Sequence, residues 1–159
     1  MATRRRESLP QVVTEGHLRL PHRVMDSVAF TGASHTAKAL LLELGRQLNG
    51  RNNGHLQLTE SWLIKRGWSR NTPARARAEL IERGLIVQTR QGGRNIGASL
   101  YAVTWLSINN YVGLDIGPRN YHPGAWALME NLNLAEAVER PTPKPGKPGI
   151  SAAITGRNT

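Results

Sequence analysis

The chain is expected to fold as an α+β domain in which a helical core precedes a β-hairpin. Three observations lead there. Ala37, Leu40, Leu41, Leu44 and Leu48 recur at the spacing of one helical face. Two further helical stretches each stop at a glycine, Gly67 and Gly84. Two runs rich in β-branched and aromatic residues then flank a glycine-rich tip.

The helices come first. After a Leu20-Pro21 break, Val24, Met25, Val28 and Phe30 suffice for one brief helix. Ser34 stands where an N-cap belongs, because its hydroxyl can accept from a first-turn N–H that has no intrahelical partner. The helix it opens is expected to end at Asn49-Gly50, a pair suited to a left-handed C-cap. Leu56 and Leu58 alternate with polar neighbours as a short strand would. Thr59 is placed to cap a second helix, with Glu60 in its first turn, that runs through Trp62, Leu63 and Ile64 to Arg66. The third helix begins between Ser69 and Thr72 and runs to Arg83, with Gly84 as its terminator. Pro73 is compatible with its first turn, where a missing N–H costs nothing.

The strands are Leu85-Ile86-Val87 and Leu100 to Trp105, joined through Gln91-Gly92-Gly93-Arg94-Asn95-Ile96-Gly97. Asn109 to Pro123 is broken by glycine and proline, after which Ala125, Leu128, Met129 and Leu132 return to helical spacing. From Arg140 onward Pro141, Pro143, Pro145 and Pro148 alternate with Lys144 and Lys147, a composition that cannot bury a core. The expected organisation is a flexible basic arm over 1–17, a domain over 18–106, an extension over 107–139 with one helix, and a disordered tail over 140–159.

Composition narrows the partner. A formal net charge of +10 and a pI near 11.2 favour a polyanion, since basic groups gain most by displacing counterions condensed on nucleic acid. Acidic lipid is the rival polyanion; no stretch approaches about 18 consecutive apolar residues, so a membrane-spanning product is not expected, and the expected partner is nucleic acid with no membrane. With no cysteine, disulfides, thiolate metal sites and cysteine nucleophiles are excluded, in keeping with a reducing cytosol. Catalysis is poorly supplied: Asp26 and Asp115 are the only aspartates, and His17, His22, His35, His55 and His122 contain no His-x-x-x-His pair. No catalytic residue, metal site or cofactor is expected.

The order long helix, short strand, short helix, tight turn, helix, two-stranded hairpin is the winged helix-turn-helix plan. The run Leu58-Thr59-Glu60-Ser61-Trp62-Leu63-Ile64-Lys65-Arg66-Gly67-Trp68-Ser69-Arg70-Asn71-Thr72, followed by Arg75 and by Glu79-Leu80-Ile81-Glu82-Arg83-Gly84-Leu85-Ile86, resembles the winged helices of bacterial MarR-like and GntR-like regulators. It is also similar to DNA-binding modules of phage and plasmid replication or control proteins. The resemblance covers roughly residues 34–105 and implies a three-helix core plus a two- to three-stranded β-wing.

Residue placement independently suggests a DNA-facing side. If 70–83 is helical, Pro73, Ala76 and Leu80 share an inner face while Asn71, Ala74, Arg75 and Ala78 point away. Small alanines let the backbone approach bases, where arginine can pair with guanine and asparagine with adenine. Arg70, Asn71 and Arg75 are therefore the expected base readers. Lys65, Arg66, Ser69, Thr72 and Arg77 are the expected phosphate contacts, Ser69 and Thr72 from the helix start, where N–H groups and dipole favour an anion. Between Lys65 and Arg94 eight basic residues stand against two acids, leaving +6 of the total +10 in this segment. The resemblance adds Arg90, Arg94 and Asn95 as wing contacts, and Arg4, Arg5 and Arg6 form either a groove-entering arm or a solvated tail. Trp62, Trp68 and Trp105 are assigned to core packing rather than base stacking.

The expected function is sequence-specific binding of double-stranded DNA by a cytoplasmic, nucleoid-associated transcriptional regulator. Two alternatives stand beside it: a phage or plasmid replication or maintenance factor that binds origin repeats, and a protein-interaction adaptor on the same scaffold. Further partner readings are a homodimer and a protein bound through 106–159.

Overall fold

The computed structural model describes residues 16–129. Arg4, Arg5 and Arg6, the 140–159 tail and the part of the extension beyond Met129, Leu132 included, lie outside the described residues. The described fold is mixed α+β, with five α-helices and a three-stranded antiparallel sheet.

The first helical segment is two single turns rather than one brief helix. α1 spans His22–Met25 and α2 spans Val28–Thr31. Ser27 separates them because its hydroxyl turns back to donate to the Val24 carbonyl at 2.6 Å and also accepts from Phe30 N, capping α2. α3, His35–Gly45, starts as expected, with Ser34 Oγ accepting from Ala37 N at 3.1 Å. It buries Ala37, Leu40, Leu41 and Leu44 completely.

The end of α3 comes earlier than Asn49. After Gly45 the amides of Gln47 and Leu48 bond three residues back, to Leu44 and Gly45, so the last turn tightens. Asn49 and Asn52 then cap each other: Asn49 N donates to Asn52 Oδ1, and Asn52 N to Asn49 Oδ1. These side chains compete with the helix for its own backbone, which apolar spacing alone does not reveal.

β1 is short, Leu56–Gln57, and pairs with β3, Leu100–Val103, which pairs in turn with β2, Ile86–Arg90; the sheet order is β1-β3-β2. The Gln47 side chain clamps β1 by donating to Gln57 O and accepting from Gln57 N. A register shift between Gln88 and Arg90 marks a bulge just before the hairpin tip.

Residues 107–129 cover this sheet. Ile108 and Tyr121 pack on Ala102, with Val87, Tyr111, Leu114 and Ile116 around them. Helical spacing from Ala125 yields a 3₁₀ turn over Ala125–Ala127, whose Trp126 enters the main core beside α2. Trp105 is also buried, its indole N–H donating to Arg19 O, and Trp62 and Trp68 pack on the core from its edge.

Candidate nucleic-acid interface

Two helices and the turn between them hold the predicted base readers and phosphate contacts, while Arg90, Arg94 and Asn95 belong to the hairpin. α4 spans Glu60–Lys65 and α5 spans Thr72–Glu82. Both end in the same way. Gly67 has φ +87° and Gly84 has φ +68°, values that favour glycine, and each glycine N–H bonds back to the carbonyl of Ile64 or Ile81. The next residues, Trp68 and Leu85, donate to Leu63 O and Leu80 O, and the paired hydrogen bonds close each helix with an apolar residue just beyond its glycine. The chain is thereby turned from α4 into α5 and from α5 into the sheet.

α5 is fastened by its inner face. Ala76 and Leu80 are buried and Pro73 half-buried, and the face packs on α3. From the same side Glu79 reaches α3, accepting from Ser34 N at 2.7 Å and from Ser34 Oγ at 2.6 Å, while Arg83 Nε donates to it at 3.3 Å. The Ser34 hydroxyl and amide, together with Arg83, hold the Glu79 carboxyl below its ordinary range against an opposing contribution from burial.

The outer face of α5 is left to solvent. Asn71, Ala74, Arg75 and Ala78 are all exposed. Arg75 has no hydrogen bond or ion pair, and together with Asn71, Thr72, Ser34 and Thr36 it lines an open cleft of about 440 Å³ along the seam with α3. Thr59 sits at the N-cap of α4 and Asn71 at that of α5, but neither side chain makes a cap bond. Ser69 Oγ and Thr72 Oγ1 bond to each other instead. The first-turn amides of α5 therefore lack a side-chain cap.

The remaining predicted cations divide into engaged and open. Arg66 pairs with Glu43 and lies over the Trp62 ring at 5.4 Å. Arg70 pairs with Glu60 at 2.6 Å, with both side chains more than half exposed, so the pair is worth well under about 1 kcal/mol and a phosphate can displace it. Lys65 and Arg77 carry no such partner, Lys65 on the exposed side of α4 and Arg77 beside the α4–α5 junction. Arg90 departs most from expectation. Its guanidinium turns into the hairpin and donates to Ala98 O at 2.9 Å, and its Nε is buried without a partner, so Arg90 braces the tip rather than projecting from it. Arg94 and Asn95 do project, with Asn95 at φ +66°.

No family model, curated protein or solved structure matches the chain.

Two residues that fix the end of the sheet have no local sequence signal. Asn53 is buried beside the end of β3; its Nδ2 donates to the carbonyls of Val103, Leu106 and Ser107, and its Oδ1 accepts from Val103 N. Tyr121 donates to the Val103 and Leu106 carbonyls at 2.9 and 2.5 Å. Burial pushes the Tyr121 hydroxyl up to about 12. Among the described residues no group of three His, Asp or Glu is placed to hold a metal ion, and no helix is long and apolar enough to cross a membrane.

Proposed function

We propose that the chain is a sequence-specific double-stranded DNA-binding protein of winged helix-turn-helix type, acting as a transcriptional regulator. The observation that carries the reading is the outer face of α5: Asn71, Ala74, Arg75 and Ala78 exposed together on a helix whose opposite face is locked to α3. A helix offered in this way has, at its N-cap and in its first turn, the two residue types that pair bidentately with guanine and adenine, and the methyl-sized Ala74 and Ala78 beside them let it approach base edges.

Electrostatics supports the same partner. Lys65, Arg75, Arg77 and Arg94 are unpaired, and the uncapped amides at the start of α5 add a partial positive charge beside Ser69 and Thr72. Arg75 and Asn71 are the base readers in this reading, Arg70 joins them once released from Glu60, and Lys65, Arg66, Ser69, Thr72 and Arg77 contact phosphates. Arg94 and Asn95 reach the duplex from the hairpin.

Selection of bound duplexes from a random pool, at two salt concentrations, tests the proposal. One enriched motif is expected, with affinity that falls steeply as salt rises. Failure to enrich any sequence would exclude specific recognition.

A further inference from the structure

The hairpin tip has a construction that charge alone does not explain. Between Gly92 and Ala98 only Arg94, Asn95 and Ile96 carry side chains larger than a methyl group. At Gly92 the two arms approach so closely that a Cβ would run into the Ser99 amide and lie 2.6 Å from the Ala98 carbonyl carbon. The ribbon is therefore thin as well as narrow-tipped.

The tip is also held stiffly for a surface loop. Gly93 N donates to Gly97 O and Ile96 N to Gly93 O, closing the turn. Gly92 N donates to Ser99 Oγ, Arg90 to Ala98 O, and Gln91 N to the Asp115 carboxylate at 2.7 Å, which ties the base of the tip to the covering segment. In the three-residue loop that ends this braced projection Ile96 is 65% exposed, and its Cδ1 lies 3.2 Å from where a Cβ on Gly93 would stand. A single exposed isoleucine is ordinary on a protein surface. One held at the end of a rigid, thin ribbon, beside a free arginine and an amide, is an apolar wedge with a polar guide.

We infer that Ile96 enters a base step from the minor groove and kinks the duplex. The inference rests on the DNA-binding reading above and adds a deformation to it. Strands can enter the minor groove, about 6 Å wide, and a tip stripped of bulky side chains is the part of this hairpin that suits it. Arg94 is drawn to its negative potential, and Asn95 can donate to the adenine N3 and thymine O2 acceptors on its floor. Ile96 then unstacks one step, favouring flexible pyrimidine–purine steps in an A·T-rich flank beyond the bases read by α5.

The test uses the full chain and the duplex that it selects from a random pool, labelled at both ends for energy transfer and carrying 2-aminopurine in the flank. The wild-type chain is expected to bend this duplex by about 20–90° and to brighten the 2-aminopurine at one step. Ile96→Ala should bind the same core sequence with most of the bend and the brightening gone, and Ile96→Leu should restore both. A bound duplex that stays straight, or one bent equally by Ile96→Ala, overturns the wedge while leaving DNA recognition intact. Ile96→Leu behaving like Ile96→Ala also overturns it, because apolar bulk would then be irrelevant. If the wild-type chain selects no duplex, the wedge and the DNA-binding reading fall together.

Discussion

Glu79, in the third turn of α5, caps the start of α3 from the outside: its two carboxylate oxygens take the amide and the hydroxyl of Ser34 at 2.7 and 2.6 Å. One carboxylate thereby sets the angle at which the proposed reading helix stands on the domain. Because Ser34 Oγ also accepts from Ala37 N, loss of Glu79 loosens both helices at once.

Acid should therefore weaken the domain in a way that depends on Glu79. Its pKa is depressed, mainly by the Ser34 hydroxyl and amide, so its stabilisation is fully present above the ordinary glutamate value near 4.5. It is lost as pH falls through the lower folded value. Glu79→Gln is expected to cost about 1 kcal/mol at neutral pH, modest because a quarter of the side chain is exposed. Urea midpoints near neutrality and at about pH 3 check this: the gap between wild type and variant should shrink in acid.

A second dependence lies at the alkaline end. The folded Tyr121 pKa is raised to about 12, chiefly by burial, from an ordinary value of 10. Its contribution is fully present below pH 10 and is lost as pH climbs toward 12, because the fold must then accept a buried phenolate. Tyr121→Phe should cost about 1 kcal/mol at neutral pH, since Asn53 still satisfies the Val103 and Leu106 carbonyls. Denaturant unfolding across this range should show a shallower alkaline decline in the variant.

Gly84 joins three elements at a point where no side chain fits. Its φ is +68°, and a Cβ would lie 2.7 Å from Ala125 O, where the 3₁₀ turn carrying Trp126 passes over the end of α5. Gly84→Ala is expected to destabilise by more than about 1 kcal/mol, from backbone strain together with displacement of the 125–127 turn. Thermal unfolding gives the stability loss. A red shift in tryptophan emission that disappears when Trp126→Phe is added would report Trp126 leaving the core.

Features dictated by a few adjacent residues were legible in the sequence. The Ser34 cap, the glycine stops at 67 and 84, the place of Pro73 and the inner face Ala76-Leu80 all follow from one or two helical turns, and the outward set Asn71-Arg75 follows from that face. What was not legible depends on partners distant in sequence. Asn53 meets the end of β3 about fifty residues away, and Trp126 reaches the core through a segment broken by glycine and proline. The inward turn of Arg90 depends on the bulge and on the carbonyl of Ala98 across the hairpin, neither of which a count of basic residues contains.

The measurement closest to the central claim compares wild type, Arg75→Ala and Arg94→Ala against a panel of duplexes that differ from the selected site at one base pair each. Arg75→Ala should lose about 1–3 kcal/mol on the selected site and become indifferent to the base at one position. Arg94→Ala should weaken alike all duplexes altered within the bases read by α5, and lower the slope of log affinity against log salt by about one unit. If Arg75→Ala instead weakens all duplexes equally and leaves the ranking of bases unchanged, α5 does not read the sequence and the account fails.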